Sequence, residues 1–202
     1  MGQYIVFEGL DASGKTTHSE GLVERLKSAG HKAVWTREPG SPLIDLKVRD
    51  FILSDKKISP RALELLLQAD RAEHISKIKP LLDEGYWVIS DRSYVSGLAY
   101  ALAKDMDPVE LHPVINFAVD GIHPHIVFIM DVPLEEAKKR RADRGIADTR
   151  EEKRGDEFAQ RVKNNFLIIA ATQNTIQDFQ IINGMLPKAD IAAFIDSKLN
   201  LT

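Results

Sequence analysis

An α/β fold built on a parallel sheet is predicted for this chain by three observations. Five short apolar runs, at 3–8, 32–37, 87–90, 125–132 and 179–182, alternate with longer segments of helical periodicity. A strand, a glycine-bearing loop and a helix follow one another between Gln3 and Gly30. Alternation of this kind gives right-handed crossovers, which cover both sheet faces with helices and gather the loops at the strands' C-terminal ends on one edge.

Gln3-Tyr4-Ile5-Val6-Phe7-Glu8 is apolar, β-branched and aromatic, as a buried strand should be. The octapeptide that follows, Gly9-Leu10-Asp11-Ala12-Ser13-Gly14-Lys15-Thr16, fits the pattern G-x-x-x-x-G-K-[ST] at every fixed position. Its glycines let a tight loop turn backbone N–H groups toward phosphate oxygens, Lys15 adds a cation, and Thr16 offers a hydroxyl to magnesium. Leu22, Val23 and Leu26 then recur at helical spacing up to Gly30, so the positive end of a helix dipole joins the same anion site. The expected nucleoside triphosphate site runs from Gly9 through Leu10, Asp11, Ala12, Ser13, Gly14, Lys15 and Thr16 to Thr17. Strand, loop and helix in this order predict a P-loop NTPase: a three-layer α/β/α sandwich with a five-stranded parallel sheet.

Further along, Arg37-Glu38-Pro39-Gly40 ends the second strand in a rigid turn. Ser59-Pro60 opens a helix with Leu63, Leu66 and Leu67 on its apolar face, running to about Glu84 before Gly85. Asp91-Arg92 follows the strand Trp87-Val88-Ile89-Ser90, which places an acid and a base at the binding edge; Asp91 suits a magnesium role, directly or through water. The segment 144–155 is polar and charged, lies between two helical patterns, and is expected to act as an arginine-bearing lid. Arg144, with Lys138-Lys139-Arg140-Arg141 before it and Arg150 and Arg154 after it, supplies cations suited to phosphoryl transfer. Glu135, Glu136, Asp143, Asp148, Glu151 and Glu152 interleave with them and argue against a nucleic-acid surface. His123-Pro124-His125 has no third metal ligand nearby in sequence and reads as a loop into the fourth strand, and His18 lies one turn into the first helix, close to the expected nucleotide.

At 202 residues, positions 1–202 suit one well-buried domain. The net charge of -3 gives no general attraction to nucleic acid or anionic membranes. Cysteine is absent, and no apolar run approaches the roughly 20 residues that span a bilayer. With no signal peptide visible, a cytoplasmic location is expected.

No N-K-x-D guanine reader occurs, which excludes a GTPase switch. The assembled motifs, Phe-Glu-Gly-Leu-Asp-Ala-Ser-Gly-Lys-Thr-Thr at 7–17, Thr-Arg-Glu-Pro-Gly at 36–40, Ala-Asp-Arg-Ala-Glu-His at 69–74, Ser-Asp-Arg-Ser-Tyr at 90–94 and Leu-Ala-Tyr at 98–100, resemble those of bacterial-type thymidylate kinases in order and spacing over nearly the whole chain.

The resemblance implies transfer of the ATP γ-phosphoryl group to dTMP, with Mg2+ as cofactor and a homodimer as the assembly. It implies Lys15, Arg92, Asp91 and a lid arginine as catalytic residues, and Thr16 and Asp91 at the metal. Asp11, Glu38, Arg49, Leu67, Arg71, Arg92, Gly97 and Tyr100 would bind dTMP. Of these, Asp11 lies near the sugar, Glu38 and Arg92 near the phosphate and metal, Arg49 on the cleft wall, and Arg71 at the base. Tyr100 would crowd a ribose 2′-hydroxyl. Some relatives carry an arginine in the phosphate loop where this chain has Ala12, which moves the catalytic arginine to the lid, with Arg144 and Arg140 first and Arg150 behind them. Many members have Phe where Leu67 stands and Gln where Ala101 stands, and Ser41 takes the place of a usual Gly. These departures leave open a kinase acting on another nucleoside monophosphate or a deoxynucleoside. A non-catalytic nucleotide-binding protein is the alternative of a different class.

Overall fold

The central strand β1 (Gln3–Glu8) sets the layers, because alternate side chains of one strand must face opposite sides. Tyr4 and Val6 enter one apolar cluster, while Ile5 and Phe7 enter the other. Both clusters are buried, as expected for a strand flanked on both sides by parallel neighbours. The protein is described here from a computed structural model covering residues 2–46, 48–54, 57–145, 147–173 and 177–201.

Strands β2 (Ala33–Arg37), β3 (Trp87–Asp91), β4 (Ile126–Asp131) and β5 (Asp178–Asn183) complete a five-stranded sheet in the order β2-β3-β1-β4-β5. Every pairing is parallel. The chain winds outward from β1 in both directions, so the loops after β1 and β3 lie side by side at the C-terminal edge, where Phe7 and Arg37 both pair with Asp91.

One face is covered by α1 (Lys15–Ser28) and α8 (Lys188–Lys198), whose Leu22, Leu26, Ile191 and Ile195 pack on Phe7, Phe128 and Met130. The other face carries α3 (Pro60–Asp83), α4 (Tyr94–Ala103), α5 (Pro108–Val119) and α7 (Asp156–Gln173). Two shorter helices, α2 (Arg49–Leu53) and α6 (Leu134–Asp143), flank the C-terminal edge, and a 3-10 turn at Glu152–Arg154 precedes α7. The predicted three-layer sandwich is therefore present, with strand limits within a residue or two of those read from the apolar runs.

Helix α3 begins where its sequence requires: Ser59 accepts a hydrogen bond from the Ala62 amide, and Pro60 occupies the first turn. The same device recurs at Asp107-Pro108 before α5. Ile146, inside the expected lid, lies outside the described residues.

Leu26 is fully buried in the α1/α8 layer, whereas Ile168 on α7 is 56 % exposed. Leu26→Ala is expected to lower unfolding free energy by about 2–5 kcal/mol, and Ile168→Ala by no more than about 0.5 kcal/mol, in urea denaturation.

Candidate active site

The loop between β1 and α1 is shaped by backbone conformations that its small residues permit. Gly9 has φ +136°, and a Cβ there would lie 2.7 Å from the Met130 carbonyl oxygen, so no larger residue fits. Ala12 also has positive φ, and Gly14 is left-handed immediately before α1. No side chain caps the N-terminus of α1, leaving its first-turn amides for an anion. Lys15 is buried and donates to the Leu10 carbonyl at 2.8 Å, which folds its ammonium over the loop. Burial, with Arg92 as the next cause, lowers its pKa. His18 is buried beside Gly14.

Thr16 and Asp91, expected together at a metal, are in direct contact: the Thr16 hydroxyl donates to the Asp91 carboxylate. Arg92 follows at φ +78°, a strained backbone position for a side chain with a Cβ. Three bonds hold the residue there: its amide donates to the Phe7 carbonyl at 2.9 Å, its carbonyl accepts from Ser90 at 2.7 Å, and its guanidinium donates to Ser96 at 2.8 Å. The guanidinium also pairs with Asp11, and it lies 5.6 Å from the centre of the Tyr100 ring.

Beneath this pair sits Glu8, which ends β1 and stands in the 7–17 motif but had been given no role. Its carboxylate accepts from the Ser93 amide at 2.8 Å, the Ser93 hydroxyl at 2.9 Å, the Ser96 amide at 3.1 Å, and the Ser96 hydroxyl. Burial pushes its carboxyl pKa up, against the pull of Arg92 and these donors. A carboxylate closing an otherwise apolar strand was the available signal.

Glu38 and Arg71 form a buried ion pair at 2.9 Å, and His74 approaches the other Glu38 oxygen at 3.0 Å. Burial alone would raise the Glu38 pKa, but Arg71 and His74 hold it below the ordinary carboxylate value. Arg71 also reaches the Ser93 carbonyl at 3.2 Å. Gly97 makes room for it: a Cβ at that position would sit 3.1 Å from Arg71 Nη2. Arg49 donates to the Pro39 carbonyl at 2.5 Å, which turns it across the cleft wall.

A cavity of about 450 Å3 joins these groups. It is lined by Ala12, Lys15 and Thr16 of the loop and first helix, by Leu67 and Arg71 of α3 and Gly97 of α4, and by Asp11, Asp91, Arg92 and Tyr100. Glu38 and Arg49 complete the wall, so every residue expected around the acceptor faces one space.

The arginines of the expected lid and the helix before it separate. Arg144 and Arg150 line the cavity, as does Arg141, which had not been singled out. Arg140 does not: it pairs with Glu136 at 2.7 Å and donates to the Gly184 carbonyl at 3.1 Å, facing the loop after β5. The cause is local pairing and the end of the helix: Arg144 is the C-cap of α6, just beyond its last helical residue Asp143. Arg140 stands one turn after Glu136, which takes its guanidinium along α6 rather than toward the cleft.

Glu152 was missed as well. It meets the loop carboxylate Asp11, and Arg141 lies 3.3 Å away. Burial raises the Glu152 pKa well above 4.5, and contact with Asp11 adds to the rise. Asp11 moves the opposite way: burial opposes ionisation, yet Arg92, Glu152 and Lys15 hold it far below the ordinary range. The two carboxyls are thus pushed in opposite directions, Asp11 toward the anion and Glu152 toward the protonated form.

Comparison with known proteins agrees with this geometry. Residues 7–195 match the family model described as thymidylate kinase. The chain is 38 % identical over 203 residues to a thymidylate kinase of Sulfurihydrogenibium sp. (strain YO3AOP1), covering 98 % of this chain and 97 % of that protein. It is 40 % identical over 183 residues to one of Prochlorococcus marinus (strain NATL2A), covering 86 % of each. It is also 38 % identical over 186 residues to one of Carboxydothermus hydrogenoformans (strain ATCC BAA-161 / DSM 6008 / Z-2901), covering 91 % of this chain and 89 % of that protein. With a phosphate loop, an Asp91-Arg92 edge and an Arg71-lined cleft sharing one cavity, and with this match along nearly its full length, the chain belongs to the thymidylate kinase family.

Proposed function

We propose that this enzyme transfers the γ-phosphoryl group of ATP to the 5′-phosphate of dTMP, giving dTDP and ADP. The observation that carries the reading is one cavity lined both by the phosphate loop and by Leu67, Arg71 and Gly97. The Asp11–Arg92 pair stands at the wall of that cavity. The other two readings, a kinase for a different acceptor and a non-catalytic nucleotide binder, have no such support from the relatives.

An acceptor phosphate has a second pKa of about 6, so at neutral pH it is already ionised and needs no strong general base. Two polyanions must instead be brought together, which makes cations the working groups. The loop from Gly9 to Thr17 would hold the ATP phosphates, with Lys15 leaving the Leu10 carbonyl for a phosphate oxygen. Arg92 would hold the acceptor phosphate and Arg144 would neutralise charge on the group in transfer. Hard oxygen donors at Thr16 and Asp91 fit magnesium, which when bound would neutralise phosphate charge. Because Arg140 faces away, it is not proposed to reach the phosphates.

On the acceptor side, Arg71 would donate to the base, Leu67 cover its ring, Tyr100 exclude a 2′-hydroxyl, and Asp11 meet the sugar. Glu38 and Arg49 would shape the wall. The chain is proposed to work as one domain in the cytoplasm, with residues 144–155 as its lid. No helix among the described residues is long and apolar enough to cross a membrane. Exposed apolar side chains on two packed helices, Leu65 on α3 and Val109 and Phe117 on α5, support assembly as a homodimer.

Coupled ADP-release assays with dTMP, dUMP, UMP, CMP and AMP test the reading, and faster turnover on any acceptor other than dTMP would overturn it. Arg92→Ala is expected to lower kcat by at least about 100-fold while ATP affinity stays nearly constant. Arg144→Ala should cost about 10³-fold in kcat, and Arg140→Ala far less; the reverse ranking would return Arg140 to the phosphates.

The lid contact also predicts a pH response. Folding raises the Glu152 pKa above 4.5, so the contact's contribution is complete below that value and is lost as pH rises through the raised one. Since the chain has no cysteine, a single fluorophore on a Lys153→Cys variant should report lid release with rising pH in the substrate-free enzyme. Glu152→Gln, which keeps a donor toward Asp11, should flatten that titration.

A further inference from the structure

Arg71, Gln68 and Glu64 form a polar string on one stripe of α3, each at most 5 % exposed. Gln68 does not line the cavity, and the proposed reaction makes no use of it. Its Oε1 accepts from Arg71 Nη1 at 2.7 Å, and its Nε2 donates to Glu64 Oε1 at 2.6 Å. A carboxylate can only accept and a guanidinium can only donate, so this order admits one amide orientation. A flipped amide would set oxygen against carboxylate and N–H against N–H. Glu64 thus fixes Gln68, and Gln68 fixes Arg71.

The guanidinium is held from three directions. Its Nε donates to Glu38 at 2.9 Å, Nη1 to Gln68, and Nη2 to the Ser93 carbonyl at 3.2 Å. These acceptors come from the turn after β2, from α3, and from the cap of α4, and Gly97 closes in on the Nη2 side. A guanidinium has five N–H donors, so one on each Nη is left over. Arg71 lines the cavity, and Leu67 beside it offers no aromatic face for stacking. Base discrimination at this end therefore rests on where those two donors point.

We propose that Gln68, oriented by Glu64, is a positioning residue for acceptor selectivity: it aims the free Arg71 N–H groups at a ring carbonyl and so favours a 4-keto over a 4-amino pyrimidine. This rests on Arg71 as the base reader. A preorganised donor meets a carbonyl without loss of side-chain freedom, whereas an exocyclic amino group would face N–H against N–H.

The test uses the full chain with dTMP and dUMP as 4-keto acceptors and dCMP as the 4-amino one. Gln68→Met keeps length and removes both polar contacts. It should raise KM for dTMP and dUMP about ten-fold, lower the dTMP-to-dCMP preference by a similar factor, and leave kcat and the KM for ATP within about two-fold. The exchanged pair E64Q/Q68E restores a donor at 64 and an acceptor at 68, and should recover the dTMP KM that Gln68→Glu alone forfeits. A folded Gln68→Met with unchanged dTMP KM and unchanged preference overturns the proposal; if that variant does not fold, an exchanged pair that fails to recover does so. Arg71→Ala separates the two ideas. If it abolishes the preference while the Gln68 variants do not, the positioning role alone falls. If it leaves the preference intact, Arg71 is not the base reader and the positioning role falls with it.

Discussion

Cations buried at the edge of an apolar sheet are tolerated only where carboxylates meet them, and that constraint organises this molecule. Removing one ion from water costs several kcal/mol unless a partner and further hydrogen bonds offset it. Lys15 and Arg71 are at most 5 % exposed, and Arg92 is nearly as enclosed. Glu38 answers Arg71, Asp11 answers Arg92, and Lys15 sits within reach of Asp11 at 3.8 Å. These three cations are thus largely desolvated and held, which is the condition under which fixed charge acts most strongly on a transferring group, whereas Arg144 is exposed.

The sheet supplies the geometry for that pairing. Since β1 lies between β3 and β4, its end faces the loop after β3, and Glu8 can collect two amides and two hydroxyls from Ser93 and Ser96. Those bonds seat the first turn of α4, which in turn presents Gly97 and Tyr100 to the cleft. The strained backbone at Arg92 persists because its amide and carbonyl are both bonded to neighbours. One buried carboxylate, on no list of reacting groups, underlies the acceptor side.

The segment 144–155, proposed as a lid, is joined to this arrangement by charge of the same kind. Glu152 and Asp11 are shifted in opposite directions, because Arg92 and Lys15 favour the Asp11 anion while burial favours neutral Glu152. Asp11 is thereby linked to the phosphate loop, to Arg92 and to the lid at once. A change in charge at any of the three is felt by the others.

The sequence by itself determined the fold class, the strand positions and the phosphate loop, because each rests on local pattern: periodicity, glycines that permit positive φ, and a Ser-Pro helix start. It also named Thr16 with Asp91 before their contact was visible, through motifs whose spacing matches the family, but it set Glu38 beside Arg92 and not beside Arg71, its ion-pair partner in the structure. What only the tertiary structure decided was which charges pair. Arg140 and Arg144 look alike in a basic run, yet Arg140 inside α6 pairs with Glu136 and Gly184, while Arg144 stands at the C-cap where the helix has ended and lines the cavity. Glu8 had only the sign of a carboxylate closing an apolar strand, with partners 85 residues away, and Glu152 and the Glu64–Gln68 string carry no local signature, since their partners lie 141 residues or a helix turn away and acquire meaning only when the chain closes. Electrostatic energy depends on distance in space and on burial, and neither is written in the order of residues.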